Sequence, residues 1–220
     1  AACHLRGHGR SAGPRGHCQH FSEYLDDIDE VLLFARKVVW DVPLLAFGHS
    51  FGALVLTTYA LSHPQVFQGL AFTSPLFATA LDVPWFKRMA GVIASKLRPA
   101  FTLPSEIPAH RLSHETNVGV GYERDQWVHG VATARWYTET QAAQKDLLAR
   151  AHQLQVPLLV VAAGDDCLAD VTTTRQVVAR ARGTDNILEI RPDLYHEVLN
   201  EAEGPAIAER IARWLAGKAG

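Results

Sequence analysis

Leu44-Leu45-Ala46-Phe47-Gly48-His49-Ser50-Phe51-Gly52-Ala53-Leu54-Val55-Leu56-Thr57-Thr58-Tyr59-Ala60 runs from a short apolar stretch, through a glycine-flanked serine, into helix-forming sequence. A brief continuous apolar run bounded by glycine is how a strand covered on both faces reads, so the serine falls in a tight strand-to-helix turn. A serine hydroxyl is a weak nucleophile at neutral pH. It becomes reactive when held clear of the backbone beside a base, and Gly48 and Gly52 are the small residues such a turn needs. Ser50 is therefore the candidate nucleophile. The helix after it aims its dipole and free N–H groups at the place where negative charge would develop, which makes the Phe51 N–H a candidate oxyanion donor.

Outward from this turn, strand and helix alternate. Upstream, Tyr24, Ile28, Val31, Leu32, Ala35, Val38 and Val39 recur at helical spacing over Ser22–Trp40, with Ser22 as the expected N-cap and acids in the first turns. Downstream, Gly69–Thr73 and Pro157–Ala163 are continuous apolar runs, Asn186–Ile190 is a further strand, and the chain closes on a helix with Ile207, Ile211 and Trp214 on one face. This pattern predicts an α/β fold with a mostly parallel sheet flanked by helices. Between Leu81 and Leu154 the pattern changes to Trp- and Arg-bearing helical pieces broken by Pro84, Pro99, Pro104 and Pro108, too long for an ordinary connection. The expected organisation is a core of residues 1–80 and 155–220 with a helical cap inserted at 81–154. Trp85, Phe86, Trp127 and Trp136 in that insertion are candidates to line an acyl pocket; the alternative is that they hold short helices onto the core.

A base for Ser50 must come from another loop at the carboxyl edge of the sheet, and His196, just past the last strand in Pro192-Asp193-Leu194-Tyr195-His196-Glu197-Val198-Leu199, is in the right place and order. The orienting acid belongs at the end of the preceding strand, where Gly164-Asp165-Asp166-Cys167-Leu168-Ala169-Asp170 offers three carboxylates that spacing alone does not separate. Unused acids there would serve as turn residues or caps.

Composition narrows the rest. In 220 residues, 48% hydrophobic, Lys+Arg 21 against Asp+Glu 23 leaves a formal charge of -2. That favours a small, roughly neutral substrate and gives no basic stripe for nucleic acid. Three cysteines, Cys3, Cys18 and Cys167, at irregular spacing argue against a disulfide framework and lean toward a reducing compartment, the cytoplasm. No apolar run reaches the roughly 20 residues a transmembrane segment needs. Cys3-His4, His8, His17-Cys18 and His20 lack metal-site spacing, and Gly7-His8-Gly9-Arg10-Ser11-Ala12-Gly13 lacks the ending of a phosphate loop, so neither a metal nor a cofactor is expected.

Four segments together resemble the monoacylglycerol lipase and lysophospholipase branch of the α/β-hydrolases over essentially the whole chain: Arg6-Gly7-His8-Gly9-Arg10-Ser11, Gly48-His49-Ser50-Phe51-Gly52, Asp166-Cys167-Leu168-Ala169-Asp170, and Tyr195-His196-Glu197 followed by Asn200-Glu201. Asp125-Gln126-Trp127-Val128-His129-Gly130 is similar to part of that family's cap. The resemblance implies a cofactor-free serine esterase acting on monoacylglycerol, lysophospholipid or short- and medium-chain esters, with Asp166 as the acid. It also implies a departure. Family members carry three strands before the Arg6-Gly7-His8-Gly9 segment, and the loop after the third supplies a second oxyanion donor. This sequence begins inside what corresponds to the fourth strand, at Ala1-Ala2-Cys3-His4-Leu5. Loss of one such donor costs about 2.7 to 4 kcal/mol of transition-state stabilisation. An open apolar edge at the Ser50 strand would favour a homodimer, pairing by residues Cys3 to Leu5, or poor solubility. The alternative reading is a non-catalytic, hydrolase-like binding module.

Overall fold

The computed structural model describes residues 2–40, 42–81, 83–105, 107–219. In chain order its elements are α1 (Ser22–Val38), β1 (Leu45–His49), α2 (Phe51–Ser62), β2 (Gly69–Thr73), α3 (Trp85–Leu97), β3 (Thr102–Pro104), a 3-10 turn (Ala109–Arg111), α4 (Thr116–Arg124), β4 (Val131–Thr133) and α5 (Ala134–Arg150). After the further 3-10 turn Ala151–Gln153 come β5 (Leu158–Ala163), α6 (Val171–Arg180), β6 (Ile187–Arg191), the 3-10 turn Val198–Asn200 and α7 (Gly204–Gly217).

Four strands form one wholly parallel sheet in the order β1-β2-β5-β6. The register places Phe47, Ala71, Leu159 and Ile187 in one row and Ala46, Leu70 and Leu158 in the next. Because strand side chains alternate between faces, Leu70, Phe72, Leu158 and Val160 join one core with Tyr24 and Ile28 of α1, Leu54 and Val55 of α2 and Val177 of α6. Ala71, Leu159, Val161 and Ala163 join the other with Ile207, Ile211 and Trp214 of α7. Burial on both faces is why β2 and β5 read as unbroken apolar runs. α2 lies deepest: every residue from Ala53 to Leu61 is buried. Its two threonine hydroxyls are satisfied inside the helix, Thr57 Oγ donating to Ala53 C=O and Thr58 Oγ to Leu54 C=O.

Two sequence expectations need correction. Ala2–Leu5 form no strand, and among the described residues β1 has β2 as its one pairing partner, so the proposed pairing of Cys3–Leu5 with the edge is absent; Ala1 lies outside the described residues. That segment is instead fixed by its loop: His4 Nδ1 accepts from Arg10 N–H, and Ser11 Oγ donates to His4 C=O. Ser22 is the first helical residue rather than the N-cap; Phe21 occupies the cap position with no side-chain bond, and acid at Glu23 and base at Arg36 and Lys37 complement the helix dipole. Within the 81–154 stretch, α5 reaches the core. Its Ala143 and Leu147 belong to the same core as Leu54 and Val160. The rest of that stretch includes an antiparallel pair, β3 with β4, that the sequence did not signal.

Candidate active site

β1 delivers Ser50 at the end of a strand, where Ser50 N–H donates to Thr73 C=O as though the ladder continued by one residue. The chain then turns sharply into α2. Ser50 carries φ 49° and ψ -117°, a left-handed backbone that a side chain adopts only under constraint. Gly48 explains how the turn closes: a Cβ there would lie 2.9 Å from the backbone nitrogen of Ala53. Gly52 is different, since a Cβ there would meet nothing within 4 Å.

The loop after β6 brings His196 to the serine. Ser50 Oγ lies 2.9 Å from His196 Nε2, and His196 Nδ1 lies 2.7 Å from Asp166 Oδ2. With Asp166 ionised, the ring's proton sits on Nδ1 and donates to the carboxylate, leaving the Nε2 lone pair to accept from the Ser50 hydroxyl. Both side chains are almost fully buried. Asp166 is itself held from its own turn: its Oδ1 accepts the backbone N–H groups of Leu168 at 2.8 Å and Ala169 at 3.0 Å. The three acids of this segment therefore divide by task. Asp165 is exposed and pairs with Arg111, and Asp170 caps α6 by accepting from Thr172 N–H and Thr173 N–H.

Several neighbours escape a motif reading. His49 stacks edge-on to His196 with centroids 5.0 Å apart, its Nδ1 lies 3.0 Å from Thr73 Oγ1, and its Nε2 is 3.2 Å from Glu197 Oε1. That last approach has ion-pair distance but not hydrogen-bond alignment. Burial pushes the Glu197 carboxyl up, and the adjoining His49 and His196 outweigh this and hold it below its ordinary 4.5. On the other side of the turn the Phe51 ring packs on Phe21, Tyr24, Trp136 and His8. The loop carrying His8 is anchored to α1 through Arg6, which donates from two nitrogens to Asp27 and from a third to Glu23.

The four aromatic residues expected to line a pocket are not gathered into one. Trp85 and Phe86 are 77% and 57% exposed on α3, Trp127 is 41% exposed with Arg10 over its ring, and Trp136 packs behind the elbow on Phe51. Aromatic identity alone does not tell an outward position from an inward one. Among the described residues no helix is long and apolar enough to cross a membrane.

A parallel sheet with a strand–serine–helix elbow and a histidine supplied after the last strand defines the class: an α/β-hydrolase. The chain belongs to the family described as serine aminopeptidase, S33, whose model matches residues 1–203. It is 33% identical over 218 residues to an uncharacterized abhydrolase domain-containing protein of Dictyostelium discoideum, spanning 96% of this chain but 22% of that protein. To a monoacylglycerol lipase of Mycolicibacterium smegmatis it is 28% identical over 211 residues, covering 96% of this chain and 75% of the relative. In fold it is similar to the crystal structure of Paleococcus ferrophilus monoacylglycerol lipase, with a TM-score of 0.88 at 22% identity, over 96% of this chain and 80% of that one.

Proposed function

We propose that this chain is a serine hydrolase of carboxylic esters, with Ser50 as nucleophile, His196 as general base and then acid, and Asp166 as the group that orients His196. The observation that carries this reading is the unbroken pair of contacts, 2.9 Å from Ser50 Oγ to His196 Nε2 and 2.7 Å from His196 Nδ1 to Asp166 Oδ2, on a serine held at positive φ. Ser50 Oγ attacks the ester carbonyl as its proton passes to His196 Nε2. The tetrahedral oxyanion forms beside the Phe51 N–H, and the imidazolium returns the proton to the departing alcohol. Water then repeats the sequence on the acyl-enzyme. Similarity to a monoacylglycerol lipase favours monoacylglycerol or lysophospholipid as substrate, with short- and medium-chain esters also accepted. Segment 81–154 serves as the cap of this site. The free edge of β1 and the exposed Phe47 on it favour self-association of two copies.

The competing reading is a hydrolase-like module that binds without turnover. Release of p-nitrophenol from short- and medium-chain esters, measured beside Ser50→Ala, separates the two. Turnover that vanishes in the variant is expected. Equal inertness of both folded proteins contradicts the hydrolase reading.

A further inference from the structure

Glu201 has no part in the chemistry above, yet its side chain is 3% exposed. A buried carboxylate is costly unless its oxygens are supplied with donors. Here the donors come from two separate segments. Glu201 Oε1 accepts from the backbone N–H of Tyr195 at 3.1 Å, the residue immediately before His196. Both oxygens approach His114: the backbone N–H at 3.3 Å each, and Nδ1 at 3.0 and 3.2 Å. His114 lies just ahead of α4, 87 residues away in sequence.

Other contacts join the same two segments. Glu197 N–H donates to Leu112 C=O at 2.8 Å, and Ser113 Oγ donates to Asn200 C=O at 2.9 Å. The His114 and Tyr195 rings stack with centroids 3.9 Å apart. Residues 192–197 lie between β6 and a 3-10 turn, so no sheet ladder fixes the backbone that carries the imidazole. The Glu201 carboxylate bonds to that backbone one residue before the base.

We propose that Glu201 is a positioning residue for His196: its carboxylate clamps the Tyr195 backbone to His114 and so sets the imidazole in reach of Ser50 and Asp166 together. This rests on the reading of Ser50 and His196 as nucleophile and base. Glu201→Gln keeps the size of the side chain but offers a single acceptor oxygen. The Tyr195 N–H and the His114 groups, which share two oxygens in the parent, then compete for one acceptor oxygen, and the clamp is weakened.

The test is proton NMR and ester kinetics on the full chain, with His196 Nδ1–H observed as a low-field resonance assigned by its loss in Asp166→Asn. In folded Glu201→Gln this resonance should broaden or move upfield. The kcat for p-nitrophenyl butyrate should fall about a hundredfold, the cost expected of a small misplacement. KM should stay within about twofold, because substrate binding is not what is lost. Should Glu201→Gln fail to fold, His114→Ala, which removes the ring donor but keeps the backbone one, should move the resonance the same way by less. A parent-like resonance in whichever variant folds overturns the proposal. If the parent shows the resonance but no turnover, the ester-hydrolase reading fails, and the NMR comparison still decides the role of Glu201.

Discussion

At the scale of single residues, the site separates what a motif can reveal from what only folding reveals. Ser50 was legible because its neighbours alone dictate the turn, and His196 because its place in the chain follows the last strand. Asp166 was one of three until its Oδ2 was seen on His196 and its rivals on Arg111 and the α6 N-terminus. Glu201 and His114 were illegible as a pair, since nothing local links residues so far apart. His8 yields a prediction at this scale. Burial, with His129 and Arg15 nearby, holds its imidazole below the ordinary 6.5 against the opposing bond to Arg6 C=O. Below pH 6.5 the unfolded chain therefore takes up more protons at this position than the native one, so the stability this residue contributes is present above 6.5 and is lost as pH falls through the native value. His8→Asn, whose amide can still donate to Arg6 C=O, should flatten the decline of Tm as pH falls below 6.5. An unchanged slope would remove His8 from the acid response.

At the scale of elements, the strands that could be read from sequence are those buried on both faces. β2 and β5 show as continuous apolar runs because helices cover each side, whereas β3 and β4 have three residues each, with Pro104 ending β3, too little for any periodicity. The elbow gives the element-scale prediction, because its two glycines look equivalent in the motif and are not. Gly48→Ala forces a Cβ against the α2 backbone and should destabilise the fold by about 1 to 3 kcal/mol, the usual range for overpacking, with loss of ester turnover. Gly52→Ala places its Cβ in open space within a helix and should stabilise by up to about 1 kcal/mol. Urea midpoints of the two variants check this, and equal effects would refute the distinction.

At the scale of the whole molecule, the apolar side chains left exposed concentrate on particular elements. Leu33, Phe34, Val38, Val39 and Trp40 lie on or just beyond α1, and Phe47 is 43% exposed on the edge strand β1. An edge strand with apolar side chains and an open backbone invites pairing with another copy, and lysine on such an edge suppresses it. Sedimentation velocity should show concentration-dependent association of the parent chain and a monomer for Phe47→Lys; a parent that stays monomeric throughout would contradict this. The larger consequence of the fold is that three segments far apart in sequence converge on Ser50, and the proposed function takes that convergence to make the serine reactive. Reaction with a fluorophosphonate probe, mapped by peptide mass spectrometry in the parent chain and in His196→Ala, tests that claim most directly. The expected result is a covalent adduct on Ser50 in the parent and none in the variant. An unlabelled Ser50 in the folded parent, or equal labelling without His196, would contradict it.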